Sequence, residues 1–411
     1  MLIAAVLGPG FITASAGNDV GGIAQYSAAG AQFGYGLIWI MVPLAIALVV
    51  VQEMATRMGC VTGKGLASLM RETFGVRISF LAMIALFLIN TLLTATEFAG
   101  VAAASEIFGV SRYIAVPGAL VIVFLLVLRL ESNVVERIFV GFSLVYLTYI
   151  ASAVLAHPNW ADVGRGFIPT FHLQTAGWLV AVVGLIGTTI SPYMQFFLQS
   201  AVVEKDLRPE DLGLARVDVV NGSLLAIALA AFMIIANGAT IFIANQHGAH
   251  LNPQQASDFA EALRPLAGQW AETIFAFGIL NAGIFTATVL PLSTAYVVCE
   301  AFGFEAAIDR KFSEARVFFS LFAVGLIIGA AVVLIPGIHL LSMILFAQDL
   351  QGVLLPGELV LMLVIVNRKT VMGSHTNSPL ANAIAWTTVV VIGCLSIVYV
   401  AGQFAPGLLG G

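Results

Sequence analysis

Charge is scarce in this chain. Of its 411 residues only 9% are Asp, Glu, Lys or Arg, while 60% are hydrophobic and the mean hydropathy is +1.01. A soluble domain carries roughly 25% charged residues to wet its surface, so the scarcity excludes a soluble fold. Cysteine is scarcer still. Cys60, Cys299 and Cys394 stand far apart in or near apolar stretches, which argues against a disulfide framework or a cysteine metal site and leaves them as packing residues. No Ser/His/Asp set, HExxH pair or phosphate-cradling glycine loop is found, so a membrane-embedded enzyme is the weakest reading. The histidines, His157, His172, His247, His250, His339 and His375, fall in loops or at the ends of apolar runs, and no pair has the helical spacing of a buried zinc site. The first apolar run lacks the basic leader and small-residue cleavage pattern of a signal peptide, so it is read as a membrane helix.

What the chain does have is long apolar runs. They lie near residues 1–33, 35–57, 77–106, 112–130, 135–157, 176–201, 215–245, 272–300, 316–335, 338–366 and 380–403. A run of ~20 residues crosses the hydrocarbon as a helix, whereas barrel strands would alternate polar and apolar residues. The expectation is an all-α polytopic membrane protein with eleven spans and no soluble domain. If the first span runs from inside to outside, fourteen of the seventeen Lys and Arg residues fall on the cytoplasmic side, and only Arg112, Arg165 and Arg264 fall outside. That asymmetry predicts a cytoplasmic N-terminus.

Two spans are interrupted in mid-membrane. The first carries Gly17-Asn18-Asp19-Val20-Gly21-Gly22, and the sixth carries Gly187-Thr188-Thr189-Ile190-Ser191-Pro192-Tyr193. Glycine and proline there weaken the backbone ladder, and lipid tolerates this only where the freed groups line a cavity or meet a ligand. Two broken helices five spans apart suggest paired halves with a site at the bilayer midplane. A carboxylate such as Asp19 costs roughly 2.5 to 3.5 kcal/mol at mid-helix, so it is expected to face an ion path, though it would also cap the second half-helix. With the carbonyls near Asn18 and Ile190 and the hydroxyls of Thr188 and Ser191, it makes an all-oxygen set of the kind that holds hard divalent cations. Two further acids lie near membrane depth. Glu53 is read as interfacial beside Arg57, and Glu358 as lining an inner vestibule.

The run Gly8-Pro9-Gly10-Phe11, leading through Asp19 to Ala29-Gly30-Ala31-Gln32-Phe33-Gly34-Tyr35, resembles the first helix of the Nramp family of metal transporters. The likeness continues through Ser200-Ala201-Val202-Val203, Arg216, Asp218 and Asn237, Phe275-Ala276-Phe277-Gly278-Ile279, Leu355-Pro356 and Val371-Met372-Gly373. It implies a leucine-transporter-like fold: a single membrane transport domain with residues 1–157 and 176–366 as inverted five-helix repeats and 380–403 as an eleventh helix.

The departures from the family pattern shape the functional expectation. Where the family has Asp-Pro-Gly-Asn, this chain has Asp19-Val20-Gly21-Gly22, so the asparagine ligand becomes Gly22. Where the family has Met-Pro-His, it has Ser191-Pro192-Tyr193, so the soft thioether that favours transition metals is lost. Mg²⁺ keeps several waters and needs few protein ligands. The pattern therefore looks like the Nramp-related magnesium transporter branch. Aligning on Leu355-Pro356 puts Gln348 at the family's site-closing glutamine, with Asp349 beside it. Asp349 either adds a second carboxylate, directly or through water, or points away, since neighbouring helical residues face about 100° apart.

The family's proton route pairs an Asp-x-x-Glu in the third span with the sixth-span histidine. Here those positions read Glu97, Gly100 and Tyr193. The expectation is potential-driven uptake of Mg²⁺, with Mn²⁺ also possible, into the cytoplasm by alternating access without proton coupling. One alternative is a proton-coupled Mn²⁺/Fe²⁺ transporter, which the surviving Glu97 keeps open. A second is a symporter of a small organic solute on the same fold, although Asp19 would repel an anionic group. The metal is cargo and no cofactor is expected. The partners are the ion and the lipid bilayer, with no nucleic acid, and a prokaryotic plasma membrane is the expected location.

Overall fold

The structure is a computed structural model that describes residues 17–129, 147–171, 176–248, 251, 253, 256–304 and 314–404. The Gly8–Phe11 motif, Arg137 with the first half of the fifth span, His172, His250, Arg310 and Lys311 lie outside the described residues.

Apolar stretches form helices whose limits follow their glycine, proline and polar punctuation. In chain order the principal ones are α1 (Val20–Phe33), α2 (Ile38–Thr62), α3 (Leu66–Ile107), α4 (Arg112–Arg129), α5 (Leu147–Leu155), α6 (Ala176–Thr189), α7 (Pro192–Glu204), α8 (Leu212–Asn237), α9 (Ala271–Phe302), α10 (Arg316–Val333), α11 (Leu340–Val366) and α12 (Pro379–Phe404). Among the described residues there is no strand, and eight helical stretches are long and apolar enough to cross a membrane. The chain is an integral membrane protein.

Burial sorts these helices into a centre and a rim. The stretch across α6 and α7 is almost entirely enclosed, whereas α12 is mostly exposed, presenting Leu380, Val390 and Ile397 outward. Large apolar side chains facing out on α3, α4 and α12 fit a lipid-facing surface. Of the three cysteines, Cys60 and Cys299 are buried and pack. Cys394 is exposed on α12 and does not.

Small residues let the central helices approach closely. A Cβ at Gly187 would run into the backbone of Gln348 and Gly352, and one at Gly352 would meet Val183, so α6 and α11 cross nearly backbone to backbone. On the other side of α1, a Cβ at Gly30 would strike the Ile234 carbonyl of α8. Close approach through small residues is how membrane helices gain contact where no hydrophobic drive exists between them. Gly34 ends α1 at φ 58°, with the Phe242 ring 2.7 Å from where its Cβ would stand. Positive φ suits glycine, and the ring leaves no room for a side chain. Phe242 closes a five-residue π-helical turn, Gly238–Phe242, that follows α8.

α3 departs from expectation. The third span was expected at 77–106, but helix begins at Leu66 and is broken at Gly75 (φ 79°), so a two-turn helix precedes the span proper. Its polar residues Arg71 and Glu72, with Lys64 in the turn before it, hid it from a reading that followed apolar length.

At the bundle end that holds the C-terminal half of α2, Arg57 is nearly buried and fully engaged. Its guanidinium donates to Glu53 (3.0 to 3.3 Å), to the His375 carbonyl (2.6 Å) and to Asn377 Oδ1 (2.5 Å), while Arg216 of α8 donates to the same Glu53 at 2.8 Å. Glu53, read from the sequence as interfacial beside Arg57, is its ion-pair partner here. The cluster ties α2 to α8 and to the segment that leads into α12.

Candidate functional site

The site grows out of two helix ends. Asp19 precedes α1 in an extended conformation, and its Oδ1 accepts from the Gly22 amide at 2.6 Å, satisfying one of the amides that a helix start leaves open. A second acid shares this helix start: Glu97 of α3 accepts from the Val20 amide through Oε2 at 3.3 Å. The partial positive charge of a helix N-terminus favours both carboxylates there.

The other end is the break between α6 and α7. Only Ile190 separates Thr189 from Ser191, which caps α7 with Pro192 at the first helical position, where a missing N–H costs nothing. The Ser191 hydroxyl donates to the carbonyls of Gly187 (3.1 Å) and Thr188 (3.2 Å), and the Ile190 amide donates to Ile186. Tyr26 of α1 and Thr189 share a 3.0 Å hydroxyl contact. Thr189 in turn donates to the Leu185 carbonyl, so the Tyr26 hydroxyl is the donor between them.

Gly22 marks where the two breaks meet. A Cβ placed there would stand 3.3 Å from Asp19 Oδ1 and 3.3 Å from Thr188 Oγ1. The Asp19 carboxylate and the Thr188 hydroxyl therefore converge on Gly22, together with the Gly17 carbonyl oxygen 2.6 Å from the same point, and the missing side chain is what lets these oxygens come together. Both residues are buried, and Thr188 Oγ1 has no hydrogen-bond partner. A buried hydroxyl without a partner carries a desolvation cost that a bound cation would relieve. Gln348 approaches from α11, and its amide nitrogen lies where a Gly21 side chain would be, while its Oε1 accepts from Gln351 at 2.6 Å. Asn18 is buried in the turn before Asp19, and the side chain of Ile190 is enclosed and apolar, so only its carbonyl can serve as a ligand.

Asp349 goes elsewhere. Its Oδ2 accepts from Tyr399 of α12 at 3.2 Å, and its Oδ1 lies over Gly184 of α6, about one turn from Thr188. Of the residues read as the altered proton route, Gly100 is a notch filled by the Val20 side chain, with Val20 Cγ1 2.6 Å from the Cβ position, and Tyr193 is enclosed in the first turn of α7. Glu358 is buried on α11 with neither carboxylate oxygen hydrogen-bonded. The sequence reading missed Gln25, Gln351 and Tyr399, although a glutamine inside an apolar helix is itself a signal. Among the described residues no three His, Cys, Asp or Glu side chains converge on a point, so a metal at Gly22 would meet the Asp19 carboxylate together with hydroxyl, amide and carbonyl oxygens. Such a set is hard in character.

A helix interrupted inside a lipid-facing bundle, set against a second helix start with a carboxylate and a bare hydroxyl between them, is the arrangement of a membrane transporter. The family model described as "Natural resistance-associated macrophage protein-like" matches residues 10–402, and the chain belongs to this Nramp family of membrane metal transporters. It is 27% identical over 419 residues to a protein of Deinococcus radiodurans named divalent metal cation transporter MntH, covering 98% of this chain and 90% of that one. Among solved structures it resembles the manganese transporter of Eremococcus coleocola bound to an aromatic bis-isothiourea compound (TM-score 0.78, 23% identity, 98% and 88% covered). It also resembles MhsT in complex with L-phenylalanine (TM-score 0.59, 15% identity, 95% and 97% covered). These likenesses establish a leucine-transporter-like fold.

Proposed function

We propose that this chain carries a divalent metal ion, Mg²⁺ foremost, into the cytoplasm by alternating access, driven by the membrane potential without obligatory proton coupling. The observation that carries the reading is the convergence on Gly22 of the buried Asp19 carboxylate and the unpartnered Thr188 hydroxyl. The names of the Deinococcus and Eremococcus proteins speak for a divalent ion. Within that class, Ser191 at the position of the family's methionine and Gly22 at that of its asparagine favour a harder, roomier site suited to an ion that keeps part of its water shell.

Asp19 supplies the charge. Thr188, Ser191 and the carbonyls of Asn18 and Ile190 supply oxygens directly or through water, and Gln348 closes the site once its amide turns its oxygen inward. Asp349 acts from one turn away. Gly100 and Tyr193 carry neither a carboxyl nor an imidazole at the family's relay positions, which speaks against proton coupling. For a dication the potential alone is worth about 4.6 kcal/mol per 100 mV. The orientation with a cytoplasmic N-terminus follows from the distribution of Lys and Arg, and a plasma-membrane location follows from the bacterial relatives. Rocking of one helix group against another would alternate access, with Gly17 to Gly22 as a hinge.

A second reading, proton-coupled Mn²⁺/Fe²⁺ transport, is favoured by one observation: Glu97 remains buried at the same helix start as Asp19. The two are separated by reconstituting the protein in liposomes under an inside-negative potential and following internal Mg²⁺, Mn²⁺ and pH. Saturable Mg²⁺ entry without metal-induced acidification is expected. Acidification that requires metal would overturn the uncoupled mechanism, and entry of Mn²⁺ but not Mg²⁺ would overturn the magnesium assignment. Transport of neither ion would return the organic-solute reading.

A further inference from the structure

A second group of buried polar atoms gathers around Gly184, apart from the oxygens that converge on Gly22. Four helices contribute. A Cβ at Gly184 of α6 would stand 2.6 Å from Asp349 Oδ1 of α11 and closer still to Gln25 Nε2 of α1, so both side chains enter the space that this glycine leaves. On the far side of the carboxylate, Tyr399 of α12 donates to Asp349 Oδ2 at 3.2 Å. The Gln25 amide donates weakly to the Ala181 carbonyl at 3.4 Å.

Two oxygens remain open in this cluster: Asp349 Oδ1 and Gln25 Oε1 have no hydrogen-bond partner. Both residues are 4% exposed, and among the described residues no Lys, Arg or His forms an ion pair with Asp349. A carboxylate enclosed in a membrane bundle pairs with another group or marks an ion path. Here one oxygen is anchored by a tyrosine and the other is bare. The anchoring fixes the orientation of the carboxylate without neutralising its charge.

The placement relative to the Asp19 site is regular. Gln25 is six residues along α1 from Asp19 and Gly184 is four residues before Thr188 on α6, which at 1.5 Å per residue are offsets of roughly 9 and 6 Å. Both offsets run toward the same end of the bundle, because α1 leads away from Asp19 and α6 leads toward Thr188. In the orientation proposed above, that end faces outside.

We infer that Asp349, Gln25 and Tyr399 form a second cation station, which takes a hydrated dication from the outer side and passes it one to two helical turns to the Asp19 site. The inference rests on the proposed metal-uptake function and adds the route by which the ion arrives. One carboxylate oxygen and one amide oxygen, completed by water, suit an ion such as Mg²⁺ that keeps several waters. Two dications at this separation repel strongly in a medium of low dielectric, so the stations fill in succession.

Mn²⁺ serves as the probe, since its loss from the free electron-spin-resonance signal reports binding to the purified protein whether or not it is transported. Asp19→Ala is expected to retain weak Mn²⁺ binding that Asp19→Ala/Asp349→Asn loses. In transport, Asp349→Asn, which keeps an acceptor for Tyr399, is expected to raise the KM for Mg²⁺ at least tenfold while changing the maximal rate less than twofold. Gly184→Ala, which drives Gln25 and Asp349 apart without altering charge, is expected to raise KM in the same direction. Identical binding by the single and double variants, or a wild-type KM in Asp349→Asn, would overturn the second station. If the wild type binds Mn²⁺ but transports no dication, the uptake reading alone falls, and the station is decided by the binding comparison.

Discussion

The side chain of Val20 fills the place that a side chain at Gly100 would occupy. Its two methyl carbons are the nearest atoms to the Gly100 Cβ position, and Ile279 of α9 stands 3.0 Å away on the other side. The family's proline and glutamate at these two positions are thus replaced together, by a residue that projects and one that makes room.

Restoring the acid alone should therefore fail. Gly100→Glu forces a carboxylate into a filled notch, and overpacking of this kind costs about 1 to 3 kcal/mol before the desolvation of the acid is added. The variant should melt lower than wild type and show no metal-induced acidification in liposomes. Gly100→Glu with Val20→Ala should recover part of the stability. A Gly100→Glu variant that melts normally would contradict the packing described here.

Gly22→Asn, which reinstates the family's asparagine, makes a similar test. A Cβ at Gly22 would lie 2.6 Å from the Gly17 carbonyl oxygen, a backbone atom that cannot swing aside. The expected outcome is weaker transport of both Mg²⁺ and Mn²⁺, by tenfold or more, rather than a gain for Mn²⁺. Tighter Mn²⁺ binding by Gly22→Asn in a calorimetric titration would show that the turn before α1 can yield.

Ser191→Met exchanges a hydroxyl for a thioether. The hydroxyl donates only to two backbone carbonyls of the preceding turn, so its loss should cost about 1 kcal/mol of stability. Selectivity should change more. The ratio of Mn²⁺ to Mg²⁺ uptake should rise at least tenfold, because sulfur prefers the softer ion. An unchanged ratio would mean that Ser191 does not face the ion.

Arg57 engages Glu53, His375 and Asn377, none of them among the residues around Asp19, and its removal should act on the fold. Arg57→Ala leaves Glu53 with only the exposed Arg216 as partner and strands the His375 carbonyl. Breaking one side of an enclosed pair typically costs about 3 to 5 kcal/mol. A marked fall in melting temperature is expected, and Arg57→Lys should not restore it, since lysine cannot reach three partners from one planar group. Wild-type melting of Arg57→Ala would contradict this role.

Much of the architecture was readable from apolar length and punctuation. The spans expected at 272–300 and 380–403 are helices Ala271–Phe302 and Pro379–Phe404, because the bilayer demands continuous apolar helix and glycine or proline marks its ends. The polar helix before Gly75 was not readable this way. The helix start after Asp19 and the break at Ser191 fall where the sequence places glycine and proline inside apolar spans. What remained hidden was the direction of each side chain. Asp349 stands next to Gln348 in sequence, yet it turns to Tyr399, fifty residues away, while Gln348 turns to Gly21. The pairing of Val20 with Gly100 is likewise a property of the packed bundle, since nothing local to either residue signals the other.

Metal uptake as proposed requires a dication to rest between the Asp19 carboxylate and the Thr188 hydroxyl. Anomalous diffraction from crystals grown with Mn²⁺ tests it most directly. A peak is expected within direct or single-water reach of both groups in the wild type, and none at that place in Asp19→Ala. A peak away from Asp19, or one that survives Asp19→Ala unmoved, would contradict it.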